Sequence, residues 1–262
     1  LSLISLSKVG KTYRSIRGTD YEALRQFDLE IGAGEFFCLL GTSGCGKTTV
    51  LNLVAGFEAQ TEGTVTVAGK RLTGPGVERG VVFQGDDSLY PWLTARGNIE
   101  FGLRMRGLPA RERRERADYF LELVGLRGQG HKHPQELSGG MKQRIQIARV
   151  LANEPDILLM DEPFGALDAQ TRSVMQRELL RIWDSTRKTV LFITHDIDEA
   201  VTLATRIGVM HAGPGSRLKA TIDVGLTPDQ RDRTNDGYVA VYRQVDALLR
   251  DEVAIAMRRA EA

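Results

Sequence analysis

The sequence predicts an α/β fold: a mainly parallel sheet with helices on its faces, an N-terminal antiparallel β part and an inserted helical subdomain. Three observations carry this expectation. Short apolar runs at residues 36–40, 80–84, 157–160, 190–193 and 207–210 read as buried strands. Segments of helical spacing, 47–55 and 170–186, lie between such runs, and strands alternating with helices imply a parallel sheet. From about 94 to 153 the β signal disappears and a charged, helical stretch replaces it.

In chain order, residues 3–6 (Leu-Ile-Ser-Leu) alternate and read as a strand, with 27–31 (Phe-Asp-Leu-Glu-Ile) as its partner. The polar stretch 14–20 between them reads as a loop. The apolar run 36–40 leads into a glycine-rich loop and the helix 47–55. Residues 63–69 (Gly-Thr-Val-Thr-Val-Ala-Gly) are β-rich and bounded by glycines, hence a strand and turn. A short strand, 80–84, ends on the polar Gln84. After the helical stretch come the strand 157–160, the helix 170–186, the strand 189–194 and a final strand 207–210 before a Gly-Pro-Gly turn. The expected boundaries are a split core of 1–93 and 154–212, a helical subdomain at 94–153, and a short, charged terminal extension at 213–262.

The chemistry starts at Gly41-Thr42-Ser43-Gly44-Cys45-Gly46-Lys47-Thr48, a full match to G-x-x-x-x-G-K-[ST] between a strand and a helix. Glycines let the backbone turn tightly so that N–H groups point at phosphate oxygens, and the helix N-terminus adds a favourable dipole. Lys47 is placed to reach the terminal phosphates, and the Thr48 hydroxyl to ligate Mg²⁺. Gly41 to Thr48, with the adjoining Thr49, are the expected nucleoside triphosphate contacts. The apolar run 157–160 ends in Asp161-Glu162, two carboxylates beyond the carboxyl end of a strand, where open α/β sheets bind ligands. Asp161 is assigned to Mg²⁺, and Glu162 to orienting and deprotonating the attacking water. His195 follows the strand 189–194 and is expected on the same edge, near the terminal phosphate. Gln84, also at a strand end, is a neutral amide suited to Mg²⁺ or the attacking water. Leu137-Ser138-Gly139-Gly140-Met141 opens another helix: Ser138 is a good N-cap, and two glycines expose N–H groups at a positive helix end. An ordinary cap is the plain alternative. One nucleotide needs only one anion-ready helix start, so this second one suits the nucleotide of another copy.

Composition limits the function classes. With 262 residues and 42% hydrophobic side chains, the chain can build a real core. Its 35 basic and 34 acidic side chains balance to +1, which gives no electrostatic reason for a nucleic-acid partner. The run 110–117 (Ala-Arg-Glu-Arg-Arg-Glu-Arg-Ala) has mixed signs and reads as a solvated helix face. No apolar stretch approaches the roughly 20 residues that cross a bilayer. Lys8, Lys11 and Arg14 interrupt any signal-peptide pattern. Cys38 in an expected buried strand and Cys45 in the phosphate loop form no disulfide framework, so a reducing cytosol is the expected compartment.

These motifs in this order resemble the nucleotide-binding subunit of an ATP-binding cassette (ABC) transporter over about residues 3–215. The resemblance runs through Walker A (Gly41 to Thr48), the Q-loop glutamine (Gln84) and the signature (Leu137 to Met141). It continues through Walker B (157–162), the D-loop (Ala166-Leu167-Asp168) and the switch histidine (His195). It implies a P-loop NTPase core of RecA-like fold and ATP hydrolysis with Mg²⁺. By the same resemblance Tyr13 is the aromatic that stacks on adenine, and Met141 stands where many members carry Gln. Two identical chains would sandwich ATP, with Ser138, Gly139 and Gly140 acting in trans.

A narrower resemblance, in residues 74–84, in Leu89-Tyr90-Pro91-Trp92 and in 161–168, is to the taurine, aliphatic sulfonate and nitrate importer ATPases, taurine most of all. Gly85-Asp86-Asp87-Ser88 and Tyr90 depart from the usual leucine-rich stretch there. The implied assembly adds two membrane-spanning permease subunits, contacted through Leu89, Tyr90 and Trp92. A periplasmic or lipid-anchored solute-binding protein acts indirectly, and the chain is expected on the cytoplasmic face of the inner membrane. The rival readings are an ABC-type ATPase without a membrane partner, in DNA repair or on ribosomes, and a P-loop small-molecule kinase. The first typically carries two cassettes or a long coiled coil, and the second lacks a Ser-Gly-Gly signature.

Overall fold

The computed structural model describes residues 2–15, 18, 20–85 and 88–260. Parts of the expected 14–20 loop, and Asp86 and Asp87 of the 85–88 segment, lie outside the described residues. The segments before Val77 and after Thr186 form one compact unit, and Val77–Thr186 forms a second.

The first segment contains β1 (Ser2–Tyr13), β2 (Tyr21–Gly32), β3 (Phe36–Leu40), α1 (Lys47–Ala55), β4 (Glu62–Val67) and β5 (Lys70–Arg71). The middle unit contains β6 (Arg79–Val82), α2 (Ala95–Met105), α3 (Ala110–Leu123), a 3-10 turn (Pro134–Glu136), α4 (Gly139–Ala152), β7 (Ile157–Asp161) and α5 (Ala169–Thr186). The last segment contributes β8 (Thr189–Ile193), α6 (Ile197–Leu203), β9 (Arg206–Met210), β10 (Leu218–Asp223), a 3-10 turn (Pro228–Gln230) and α7 (Asp236–Ala260).

In the unit built from the two outer segments, β2, β1, β4 and β5 form an antiparallel sheet in that order. β1 and β2 run 12 residues each, well beyond the alternating cores at 3–6 and 27–31. The excess was hidden by bulges: Lys8 (φ 47°) and Gln26 (φ 44°) take left-handed conformations, and the register shifts between Leu6 and Val9. Each bulge breaks the period of two on which strand reading depends. In the same unit β3 is flanked by parallel β8 and β9, and β10 adds antiparallel to β9. All five residues of β3 and of β8 are buried, which is why both read as unbroken apolar runs. Residues 213–262 thus supply a sheet edge and a helix. α7 packs on α6 and β9, and its buried Tyr238, Val245 and Glu252 recur every seven residues along one stripe.

In the middle unit β6 runs parallel to β7, from Arg79 opposite Ile157 to Val82 opposite Met160. α2, α3 and α4 pack on one another. Thr94 starts α2 by accepting the Gly97 N–H at 3.1 Å. α3 buries Ala117, Phe120 and Leu121 and leaves most of its charged side chains toward water, as a solvated face should. Each large apolar group so buried stabilises the fold by about 1.5–3 kcal/mol.

Candidate active site

The phosphate-loop motif lies between β3 and α1. Gly46, the N-cap of α1, sits at φ 96°, which a side chain tolerates poorly, and a Cβ there would lie 3.1 Å from Leu24 Cδ2. No side chain caps this helix and no acid occupies its first turn, so its N–H groups and positive end are available to an anion. Lys47 is 7% exposed and donates to the Gly41 and Thr42 carbonyls at 2.8 and 3.0 Å. Its ammonium is therefore held within the loop. Cys45 is buried against Gly41, whereas Ser43, Gly44 and Thr48 are exposed.

The Tyr13 hydroxyl is 3.2 Å from Thr49 Oγ1, and the Lys11 ammonium lies 4.8 Å from the Tyr13 ring centre. Burial pushes the Tyr13 hydroxyl above its ordinary value. β8 is parallel to β3, with Ile193 opposite Leu39, so His195 emerges at the same edge as Gly41. His195 is exposed. Behind it the Thr194 hydroxyl donates to buried Glu199 at 2.7 Å, and Asp196 caps α6 through the N–H groups of Asp198 and Glu199.

The other motifs sit in the middle unit. Asp161 ends β7 and is 5% exposed. Glu162 follows at φ 44°. Val82 and Met160 pair at the ends of β6 and β7, which brings Gln84 and Glu162 to one edge. The Gln84 amide N–H donates to Glu162 Oε2 at 3.2 Å. That contact joins the expected base to the expected Q-loop residue.

Ser138 caps α4, accepting the Met141 N–H at 3.4 Å, and no acid lies in the first turn. A Cβ on Gly140 would lie 3.4 Å from Leu167 Cδ2 and 3.5 Å from the Ala166 carbonyl, so the signature and D-loop segments abut. Asp168 accepts the Thr171 N–H at 2.9 Å and its hydroxyl at 2.7 Å, which lowers its carboxyl below the ordinary range. Leu89 is buried, Tyr90 is half-buried and Trp92 is 69% exposed.

Several positioning groups carry no sequence signal of their own. Asn98, fully buried on α2, accepts the Tyr90 N–H at 2.8 Å and donates to the Tyr90, Leu93 and Thr94 carbonyls. Arg149 of α4 donates to the Ser88 carbonyl at 2.9 Å and stacks 5.4 Å from the Tyr90 ring centre. Gln146 donates to the Phe83 carbonyl at 3.1 Å, immediately before Gln84. Tyr21, opposite Tyr13 in the β1–β2 register, donates its hydroxyl to the Gly44 carbonyl at 3.0 Å. All four are recognisable only once distant parts of the chain are brought together.

The sequence profile of the ABC transporter family matches residues 24–165. A taurine import ATP-binding protein of Sinorhizobium fredii is 50% identical over 232 residues, covering 87% of this chain and 86% of that protein. A nitrate import ATP-binding protein of a Synechocystis species is 45% identical over 235 residues, covering 90% of this chain and 87% of that protein. Among solved structures, a dimeric, post-hydrolysis ATP-binding cassette bound to ADP and phosphate matches with a TM-score of 0.77 at 32% identity. That match covers 86% of this chain and 100% of the other.

Proposed function

Because the chain belongs to the ABC transporter family and is an ATP-binding, ATP-hydrolysing member of it, we propose that it powers import of a small oxyanion such as taurine, an alkanesulfonate or nitrate. The relatives named for import favour this over a cassette ATPase of DNA repair or ribosomes and over a small-molecule kinase. The observation that carries the catalytic part is Glu162, held in a left-handed backbone and hydrogen-bonded by Gln84.

Phosphoryl transfer needs mostly positioning and charge neutralisation. Lys47 and the N–H groups at the start of α1 cradle the phosphates, with Tyr13 against the adenine. Glu162 orients the attacking water and takes its proton, while Gln84 fixes the carboxylate. His195 contacts the terminal phosphate. Thr48, Asp161 and Gln84 offer only oxygen donors, the set that suits Mg²⁺, and would hold that ion. When bound, Mg²⁺ neutralises charge on the terminal phosphates.

The working unit is a pair of identical chains, each nucleotide lying between Gly41–Thr48 of one and Ser138–Met141 of the other, with Asp168 beside it. The core of 1–93 and 154–212 binds ATP and the 94–153 subdomain carries the signature. Leu89, Tyr90 and Trp92 relay the motion to two permease subunits served by a solute-binding protein. No helix among the described residues is long and apolar enough to cross a membrane, and the chain docks peripherally on the cytoplasmic face. Deleting the gene should abolish uptake of one of these oxyanions and growth on it as sole sulfur or nitrogen source. Unchanged uptake of taurine, alkanesulfonates and nitrate refutes the oxyanion assignment.

A further inference from the structure

The loop between β9 and β10 touches the phosphate loop on one side and α7 on the other. On the inner side, a Cβ on Gly213 would lie 3.0 Å from the Gly44 carbonyl oxygen, 3.3 Å from Cys45 Cα and 3.6 Å from the Tyr21 hydroxyl. The Tyr21 hydroxyl already donates to that Gly44 carbonyl at 3.0 Å. On the outer side, Glu252 of α7 is 2% exposed and accepts the Ala212 N–H at 2.7 Å. The same carboxylate takes the Lys219 ammonium at 2.9 Å and faces His211 Nδ1 at 3.2 Å. Two turns further along α7, Arg259 donates to the Ala212 carbonyl at 2.9 Å and to the Gly213 carbonyl.

Tyr238, Val245, Glu252 and Arg259 are spaced by seven, so one stripe of α7 both packs on the core and grips this loop. The loop is also tied to β2, through Ser216 N–H to the Ala23 carbonyl and Arg25 N–H to the Ser216 carbonyl, each 3.1 Å. Burial is the chief cause that raises the Cys45 thiol; the Lys47 charge opposes it and the Glu252 charge adds to it.

We infer that α7 is a brace for the phosphate loop, with Glu252 and Arg259 as positioning residues that act through Ala212 and Gly213 on Gly44 and Cys45. The inference rests on reading Gly41–Thr48 as the phosphate loop. It makes nucleotide affinity depend on a helix that supplies no ligand to the nucleotide. Arg259→Ala is the informative variant, because Arg259 is exposed, whereas Glu252→Ala empties a buried site. Gly213→Ala, at a glycine without a positive φ, presses a methyl group on the Gly44 carbonyl.

Each should raise the dissociation constant for a fluorescent ATP analogue roughly fivefold, the size of one lost or strained hydrogen bond. KM for ATP should rise with it while kcat moves less than about twofold. The thermal midpoint of Arg259→Ala should stay within about 3 °C. Combined, the two changes should raise the constant by less than the product of their single effects, since both act through one loop. Asp246→Ala, which removes an ion pair with Arg250 elsewhere on α7, should change nothing. Unchanged affinity in Arg259→Ala and Gly213→Ala, or fully multiplicative effects, overturns the brace. Lys47→Ala separates the two levels. Lost binding there with normal binding in Arg259→Ala sinks the brace alone, and normal binding in Lys47→Ala sinks the phosphate-loop reading on which it rests.

Discussion

At position 162 a glutamate occupies backbone space that suits glycine. A φ of 44° costs a residue with a Cβ roughly 1–2 kcal/mol, and here it is held by the Gly165 N–H on the Glu162 carbonyl and by Gln84 on its carboxylate. Such strain persists where the side chain's position matters more than local comfort. Glu162→Gln keeps the shape and removes the basicity. It should lower kcat by about 10²–10⁴ with little change in KM for ATP. Glu162→Gly should abolish turnover too, yet raise the unfolding free energy by up to ~1 kcal/mol in urea titrations. A Glu162→Gln protein that releases phosphate at the wild-type rate has its base elsewhere. Gly41–Thr48 and Asp161-Glu162 stand out in the sequence as candidates because binding phosphate and activating water call for fixed residue types at fixed spacing. The structure puts the first between β3 and α1 and the second at the end of β7. The Gln84–Glu162 contact spans 78 residues, and no local pattern announces it.

Among the elements, α4 does more than start at the signature. Arg144 donates to the Val124 carbonyl, Gln146 to Phe83 and Arg149 to Ser88, so one helix fixes the end of α3 and both ends of the segment that follows β6. The consequence differs for its two aromatics. Tyr90 packs 4.6 Å from the Phe101 ring and under Arg149, whereas Trp92 touches Tyr90 at 5.4 Å and faces solvent. Tyr90→Ser should therefore cost about 2 kcal/mol of stability. Trp92→Ser should stay within about 0.5 kcal/mol and release the permease subunits on co-purification. A Trp92→Ser protein that melts as early as Tyr90→Ser places the indole in the fold rather than at an interface. β3, β7 and β8 were legible because burial on both faces leaves an unbroken apolar run. α7 was not, because its inner stripe places a charged Glu252 and a polar Tyr238 where a helical apolar period would be sought. Their partners, the Ala212 N–H and Asp198, come from loops and helices far along the chain.

For the whole molecule, the decisive quantity is how many chains complete one catalytic site. The start of α1 at the phosphate loop and that of α4 at Ser138 both carry no first-turn acid, and both suit an anion. The solved dimeric cassette with ADP and phosphate has the same fold. In the proposed pair of identical chains, two-fold symmetry makes the interface self-complementary, so each chain would lend its α4 start to the partner's nucleotide and receive one in return. ATP is then part of the interface, and dimerisation is linked to its binding. Glu162→Gln, which should bind ATP and scarcely hydrolyse it, lets that dimer accumulate. Light scattering should show its mass double on adding ATP and return to one chain on removing it. Ser138→Arg in the same background puts a long side chain where the partner's phosphate would sit, and should prevent the doubling. The single chain's affinity for ATP should remain within about twofold, because its own phosphate loop is untouched. Loss of ATP binding by the monomeric Ser138→Arg variant would place the signature in its own chain's site. The shared-site arrangement would then be wrong.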